Sequence, residues 1–269
     1  MYGDRREETV AYLATAQGVA TVRVSGDQVG RFGLAHRTDA RDVATVDGAV
    51  VVATDEAVLV GREEFEPLEF GPAAAVGTDR EGDVLAAAES GRVARYRDGE
   101  WVDLGTVAAV RAIADGFVAA ADGVWRVDGD GLVSAGLDAA RDVAVADGVP
   151  LAATDDGLYR LGNGWLCERE GAFTTVAADA DYHAADPSHA LAHAATPTDL
   201  YAFHGEEWRP LDLPTDESVV DVAYGECVYA VTDRGTFLVD ADPERTPDGT
   251  GGWRSRSLGL PDVTALAVA

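Results

Sequence analysis

Arg141-Asp-Val-Ala-Val-Ala-Asp-Gly148, Val149-Pro-Leu-Ala-Ala-Thr-Asp-Asp-Gly157, Leu158-Tyr-Arg-Leu-Gly-Asn-Gly164 and Trp165 follow one another without interruption. Each piece is a short apolar run closed by Asp-Gly or Asn-Gly, the residues that tolerate the positive φ of a tight hairpin turn. The stretch therefore reads as three antiparallel strands and the opening of a fourth. Aligned on its first valine, the phrase recurs at Val43, Val76, Arg111, Val143, Val176, Val222 and Val263. A period of 32 to 46 residues made of strands and turns is the signature of stacked four-stranded units. Segments such as Val50-Val-Val-Ala-Thr-Asp-Glu-Ala-Val-Leu-Val60 are β-branched and broken every few positions, which leaves no room for tetratricopeptide helices. No Leu-x-x-Leu-x-Leu phrase recurs, so leucine-rich repeats are excluded as well.

The pattern predicts an all-β fold: a single domain over residues 1–269, a seven-bladed β-propeller of four-stranded antiparallel blades. Strand A of the best-preserved unit covers Asp142 to Ala146, strand B Pro150 to Thr154 and strand C Leu158 to Leu161, with strand D opening at Trp165. The glycines of Ala16-Gln-Gly18, Glu89-Ser-Gly91, Asp122-Gly123 and Asp233-Arg-Gly235 are expected to close the B-to-C turns. Trp101, Trp165, Trp208 and Trp253 share the start of strand D, with Phe65 and Leu132 in the same place, and are expected to cover one blade against its neighbour. Pro67 and Pro210 fall within strand D, which suits an edge strand. The residue after each aligned position is Ala44, Gly77, Ala112, Ala144, Ala177, Ala223 or Thr264, small enough for strands converging on an axis. The first unit begins at strand B, Val10 to Thr15, and the sequence finishes with a lone strand A, Val263 to Ala269. The last strand is expected to complete the first blade and close the ring.

Composition bears on partners. The chain carries 48 acidic and 21 basic residues, a formal charge of −27, and every basic residue is Arg. This is the composition of a halophilic proteome, whose acidic surfaces remain hydrated at molar salt because charges are screened within about 3 Å. Duplex nucleic acid is excluded as a partner by the same charge. Cys167 and Cys227 fall in different units and are not expected to pair. Arg5-Arg6 is followed by Glu7 and Glu8 rather than an apolar stretch, and no run reaches the roughly 18 apolar residues of a membrane helix. A cytoplasmic monomer without membrane contact and without cofactor is expected.

Thr154-Asp-Asp-Gly-Leu-Tyr-Arg-Leu-Gly-Asn-Gly-Trp165 resembles the propeller repeats of two-component regulators and, more loosely, those of sialidase-like propellers. The whole chain resembles the β-propeller domain proteins of haloarchaea. That resemblance implies a binding scaffold without an assigned reaction, since its motifs are turn chemistry. The sialidase Asp-box is not reproduced at Thr232-Asp-Arg-Gly-Thr-Phe237, and the Gly-His and Trp-Asp signatures of WD40 blades are missing.

Three departures from the repeat could carry function. The sixth unit swells between strands A and B to Asp179-Ala-Asp-Tyr-His-Ala-Ala-Asp-Pro-Ser-His189, with His193 beyond it. Asp179, Asp181, His183, Asp186 and His189 are candidate ligand- or partner-binding residues, without the spacing of a metal motif. His193 aligns with core residues and is expected to be buried with a hydrogen-bond partner. The seventh unit swells between strands C and D, from Asp240 to Gly252, and leaves from the same face. On the other face, Asp42, Asp142, Asp221 and Asp262, with Arg41 and Arg141 nearby, are candidates for a small polar ligand at the channel mouth, or simply for the turn into strand A. A non-enzymatic protein-binding scaffold is the first expectation. The alternative is a propeller hydrolase, lactonase or lyase, or a small-ligand sensor.

Overall fold

The computed structural model describes residues 8–179, 192–203, 207–240 and 252–269. Among them are 28 strands arranged in seven four-stranded antiparallel sheets, with no helix. We number the blades so that blade 1 contains the first strand. Its sheet runs from Val263–Val268 at the axis through Thr9–Thr15 and Gly18–Ser25 to Gln28–His36 at the rim. Leu13 pairs with Leu266 and Ala11 with Val268, so the final strand completes the first blade as the repeat predicts.

The turns form where the sequence supplies left-handed residues. Asp47-Gly48, Asp115-Gly116 and Asp147-Gly148 all have positive φ at both positions, as a two-residue hairpin joining strands A and B requires. The B-to-C glycines have a second constraint. A Cβ on Gly235, whose φ is +76°, would lie 2.0 Å from the carbonyl oxygen of Leu260 in the segment leading to the next inner strand. Gly235→Ala is therefore expected to destabilise the fold by about 2 to 4 kcal/mol, read as a lower midpoint in denaturant. A change below about 0.5 kcal/mol would show that the Leu260 segment yields freely.

The core is divided among the blade interfaces. Seven buried clusters occupy the seven junctions, for example Leu13, Val22, Tyr229 and Phe237 between blades 1 and 7, and Phe117, Val124, Val143 and Ala152 between blades 4 and 5. This explains runs such as Val50-Val-Val-Ala53, buried throughout, because each face of the sheet meets another sheet. At the rim, Trp165 of blade 5 donates its indole N–H to the carbonyl of Ala135 in blade 4 at 2.8 Å. Trp101 of blade 3 does the same to Leu68 after the outer strand of blade 2. These tryptophans fasten adjacent blades, as their recurrence suggests. Cys167 is exposed on an outer strand and Cys227 is buried just before strand B of blade 7, and the two do not form a disulfide.

Candidate functional site

The inner strands are Val263–Val268, Ala40–Val46, Ala75–Thr78, Val110–Ala114, Ala140–Ala146, Thr175–Ala178 and Val219–Tyr224, from blade 1 to blade 7. They line a central channel of about 460 Å³. Hydrogen-bond register, rather than sequence phase, sets which residues are equivalent. Asp42 pairs with Ala53, Ala112 with Ala119 and Ala265 with Ala14, in each case one step after a β-bulge. Ile113 and Leu266 are thus the counterparts of Val43, where the repeat alone suggests Arg111 and Val263. The small residues that follow become Ala44, Gly77, Ala114, Ala144, Ala177, Ala223 and Ala267, a more uniform set than the sequence phase gives.

Asp42, Asp142 and Asp221 occupy one register position, in blades 2, 5 and 7, and all three line the channel. In each, one carboxylate oxygen accepts the N–H of the next residue: Val43 at 2.8 Å, Val143 at 2.8 Å and Val222 at 2.7 Å. The other accepts an N–H from the inner strand of the following blade: Val76 at 2.9 Å, Val176 at 2.9 Å and Leu266 at 2.7 Å. Asp142 takes a third donor, the hydroxyl of Thr175 at 2.6 Å. The bulge aims each side chain sideways at its neighbour. These aspartates are staples between blades, and the third of them fastens the closing strand itself.

Enclosure in protein raises their proton affinity. Burial pushes Asp42 up to about 7 against the pull of its two N–H donors, and the charge of Asp142 adds to the rise. Asp221 is held well above the ordinary carboxylate range, by burial first and the charge of Asp142 second. Asp142 rises by burial while Thr175, Val176 and Val143 oppose it. An acid whose native pKa is raised binds more protons folded than unfolded. The contribution of Asp42 is therefore fully present below about pH 4 and is lost as the pH climbs through about 7.

The fourth aspartate of the proposed ring is elsewhere. Asp262 is exposed in the turn before the closing strand, with φ of 56°, three residues ahead of Ala265, which holds the ring position in blade 1. The arginines at this mouth are engaged outward: Arg41 pairs with Glu89, Arg141 with Asp155, and Arg111 donates to the carbonyl of Ala140 at 3.0 Å.

The opposite mouth is lined by Thr45, Thr78, Asp115, Asp179 and Tyr224. His193, on strand B of blade 6, is 3% exposed, and its Nδ1 lies 2.6 Å from the hydroxyl of Tyr224. The same hydroxyl lies 3.4 Å from the carbonyl of Ala177. Burial and the neighbouring charge of Asp179 hold the Tyr224 phenol well above its usual value, so it is a neutral hydroxyl. The expected buried histidine with a partner is found, and the partner is a channel residue on the next blade. Tyr224→Phe is expected to cost about 1 to 2 kcal/mol, measured by chemical denaturation, because the hydroxyl joins His193 to the inner strands. Of the candidate insertion residues, Asp179 lies on the channel wall, while Asp181, His183, Asp186 and His189 lie outside the described residues.

One cluster has no counterpart in the sequence reading. Asp79, Glu81 and Asp83 bring carboxylate oxygens within 4.8 Å of one another beside the A-to-B turn of blade 3. Arg95 Nε lies 2.8 Å from Asp79, and Arg97 pairs with Glu81 and Asp83. Asp79 also accepts the N–H groups of Glu81 at 2.9 Å and Asp83 at 3.0 Å. The cluster is a turn closed by two guanidinium groups, which already supply the positive charge a metal would bring. The alternation Asp79-Arg-Glu-Gly-Asp83 was a visible signal, but its cations come from the third strand of the blade.

A family model described as HVO_0234-like beta propeller matches residues 1–269. The chain belongs to that family. No curated protein matches the HVO_0234-like chain in sequence. Among solved structures, the computationally designed protein Ika8 is similar at TM-score 0.61 and 16% identity, over 98% of this chain and 88% of that one. Apo AztD from Citrobacter koseri is similar at 0.58 and 10%, over 97% and 98%. Sqt1 from Saccharomyces cerevisiae is similar at 0.59 and 11%, over 86% and 78%. At such identities the likeness is one of fold, and its breadth, which includes a designed protein, matches a sequence whose repeats specify architecture.

Proposed function

We infer that this HVO_0234-like propeller is a protein-binding scaffold that engages its partner through the face carrying the blade 6 and blade 7 insertions. The observation that supports it is positional. The insertion after Thr175–Ala178 follows an inner strand, and the one after Thr236–Asp240 follows a third strand, so both leave adjacent blades on one face. Asp179, where the first insertion begins, and Tyr224 of blade 7 both stand on the channel wall at that end. Insertions carried by a rigid scaffold are where binding concentrates. The carboxylates at the opposite mouth, by contrast, are committed to inter-blade hydrogen bonds. A soluble, salt-adapted monomer acting in the cytoplasm is part of the same proposal.

The test is affinity capture from the source organism at native salt, with the intact chain beside a variant in which residues 180–191 are replaced by an Asp-Gly turn. A partner held by the intact chain and lost by the trimmed one supports the scaffold. Equal capture by both, or none by either, overturns it.

A second reading is supported by the Tyr224–His193 pair. A neutral phenol held at 2.6 Å from a histidine, beside a carboxylate at a channel mouth, is a reasonable start for a small-ligand or hydrolytic site. Saturation-transfer NMR against a library of small polar compounds, comparing the wild type with Tyr224→Phe, separates this reading from the first.

A further inference from the structure

The outer strand of blade 1 breaks the repeat in a way that closing the ring does not require. Val29 pairs with Val24 just after the C-to-D turn, as Trp101 pairs with Tyr96 in blade 3 and Trp165 with Leu161 in blade 5. Blade 1 therefore has a valine where those blades set a tryptophan against the preceding blade. Opposite the residue two places back on strand C, the other six blades carry Pro67, Asp103, Ser134, Cys167, Pro210 and Ser255, all small or polar. Blade 1 carries Phe32 there, paired with Val22 and 38% exposed, and Leu34, paired with Ala20, is 39% exposed beside it. Val22 and Ala20 belong to the core between blades 1 and 7, so Phe32 and Leu34 carry that junction onto the rim without a cover. Neighbouring exposed apolar groups, unlike single ones, mark a contact surface.

The charge around them differs from that of the rest of the chain. Gln28–His36 and Trp253–Ser257, the outer strands of blades 1 and 7, hold Arg31, Arg254 and Arg256 and no acidic residue, in a chain with 48 of them. Elsewhere the outer strands carry acids, as Glu100–Thr106 and Trp165–Glu170 do, carry no charge, as Gly131–Gly136, or are three-residue pieces ending in proline. Asp27, in the turn before Gln28, is taken by Arg254 at 2.6 Å. Arg256 lies over the Phe32 ring at 5.1 Å, and its Nη1 donates to the carbonyls of Val29 and Gly30, the latter at 2.7 Å. Those bonds fix the guanidinium on the patch and leave its other N–H donors for a ligand. Among the described residues neither Arg256 nor the exposed Arg31 makes an ion pair.

We propose that the seam between the outer strands of blades 1 and 7 docks an acidic linear segment of a partner protein, whose large apolar side chain covers Phe32 and Leu34 and whose carboxylates meet Arg31 and Arg256. Aromatic and arginine side chains are the usual anchors of an interface. A second copy fits the seam poorly, because a two-fold contact would set arginine against arginine. Hydrogen bonds from guanidinium to carboxylate act at contact distance, so molar salt leaves them in place while it screens longer-range attraction.

The probe is an acetylated peptide, Ser-Glu-Leu-Glu-Phe-Glu-Ser, titrated into the whole protein at molar salt beside versions with Gln or Lys at the three Glu positions. The Glu peptide is expected to bind saturably, at least ~10-fold tighter than the Lys peptide, with amide shifts confined to residues 28–37 and 253–258. Phe32→Ser is expected to weaken it at least ~10-fold. Leu34→Ser reads the same surface should Phe32→Ser fold poorly. Replacing residues 180–191 is expected to change nothing, which separates this site from the insertion face. Equal binding of the Lys peptide, no saturable binding, or binding lost with residues 180–191 overturns the proposal. So does self-association of the free protein that Phe32→Ser abolishes, since the occupant would then be a second copy.

Discussion

Removing residues 261–269 is expected to abolish cooperative folding, seen as a broad, featureless thermal transition by circular dichroism at molar salt. The segment is the inner strand of blade 1, and it contributes to two junctions at once. Val263 and Leu266 are buried in the cluster between blades 1 and 7, while Ala265 and Ala267 are buried between blades 1 and 2. Exposing two large aliphatic side chains and two alanines forfeits about 5 kcal/mol of burial. That is comparable to the whole stability of an ordinary domain, about 5 to 15 kcal/mol. The loss also leaves the Thr9–Thr15 strand with an open edge and Asp221 without the Leu266 N–H. A sharp transition within a few degrees of the full-length protein would show that six blades and a remnant suffice.

Asp142→Ala is expected to cost about 3 kcal/mol in chemical denaturation at neutral pH, more than any other substitution at the channel mouth. It orphans three donors on two blades, the N–H groups of Val143 and Val176 and the hydroxyl of Thr175, and an unmet donor costs about 1 to 3 kcal/mol when water reaches it poorly. Water entering from the channel limits the sum. Asp142→Asn, which keeps one acceptor, is expected to cost about half as much. Asp262→Ala, at an exposed turn, is expected to stay within about 0.5 kcal/mol. Equal costs at Asp142 and Asp262 would mean that both serve only to start the inner strand.

The contrast between those two aspartates shows what a repeat can and cannot disclose. Asp42, Asp142, Asp221 and Asp262 all precede a valine at the start of strand A, and in the linear phrase they are indistinguishable. The closing strand reads Val263-Thr-Ala-Leu-Ala-Val268, which is apolar at either of two phases. Only its pairing with Thr9–Thr15 selects the one that puts Ala265 at the ring position. The bulges at Arg41, Arg111 and Arg141 are invisible for the same reason, since an extra residue in one strand is defined by the strand opposite. His193 was legible as a core residue because the positions aligned with it in the other units are core types such as Tyr12, Val51 and Leu85. Its contact with Tyr224 was not, because the hydroxyl comes from the next blade, 31 residues on.

The sequence by itself determined the number of blades, the four strands in each, the turns, five of the seven small residues around the axis and the closing strand. Those depend on interactions within one hairpin or on a side-chain period, and they recur often enough to be read. Tertiary structure alone decided that three aspartates staple the ring and that a fourth does not. Each staple needs a backbone N–H 34 or 45 residues further along the chain, on another blade. A bond to a main-chain donor leaves no mark on the identity of the residue that supplies it, so only the assembled ring reveals it.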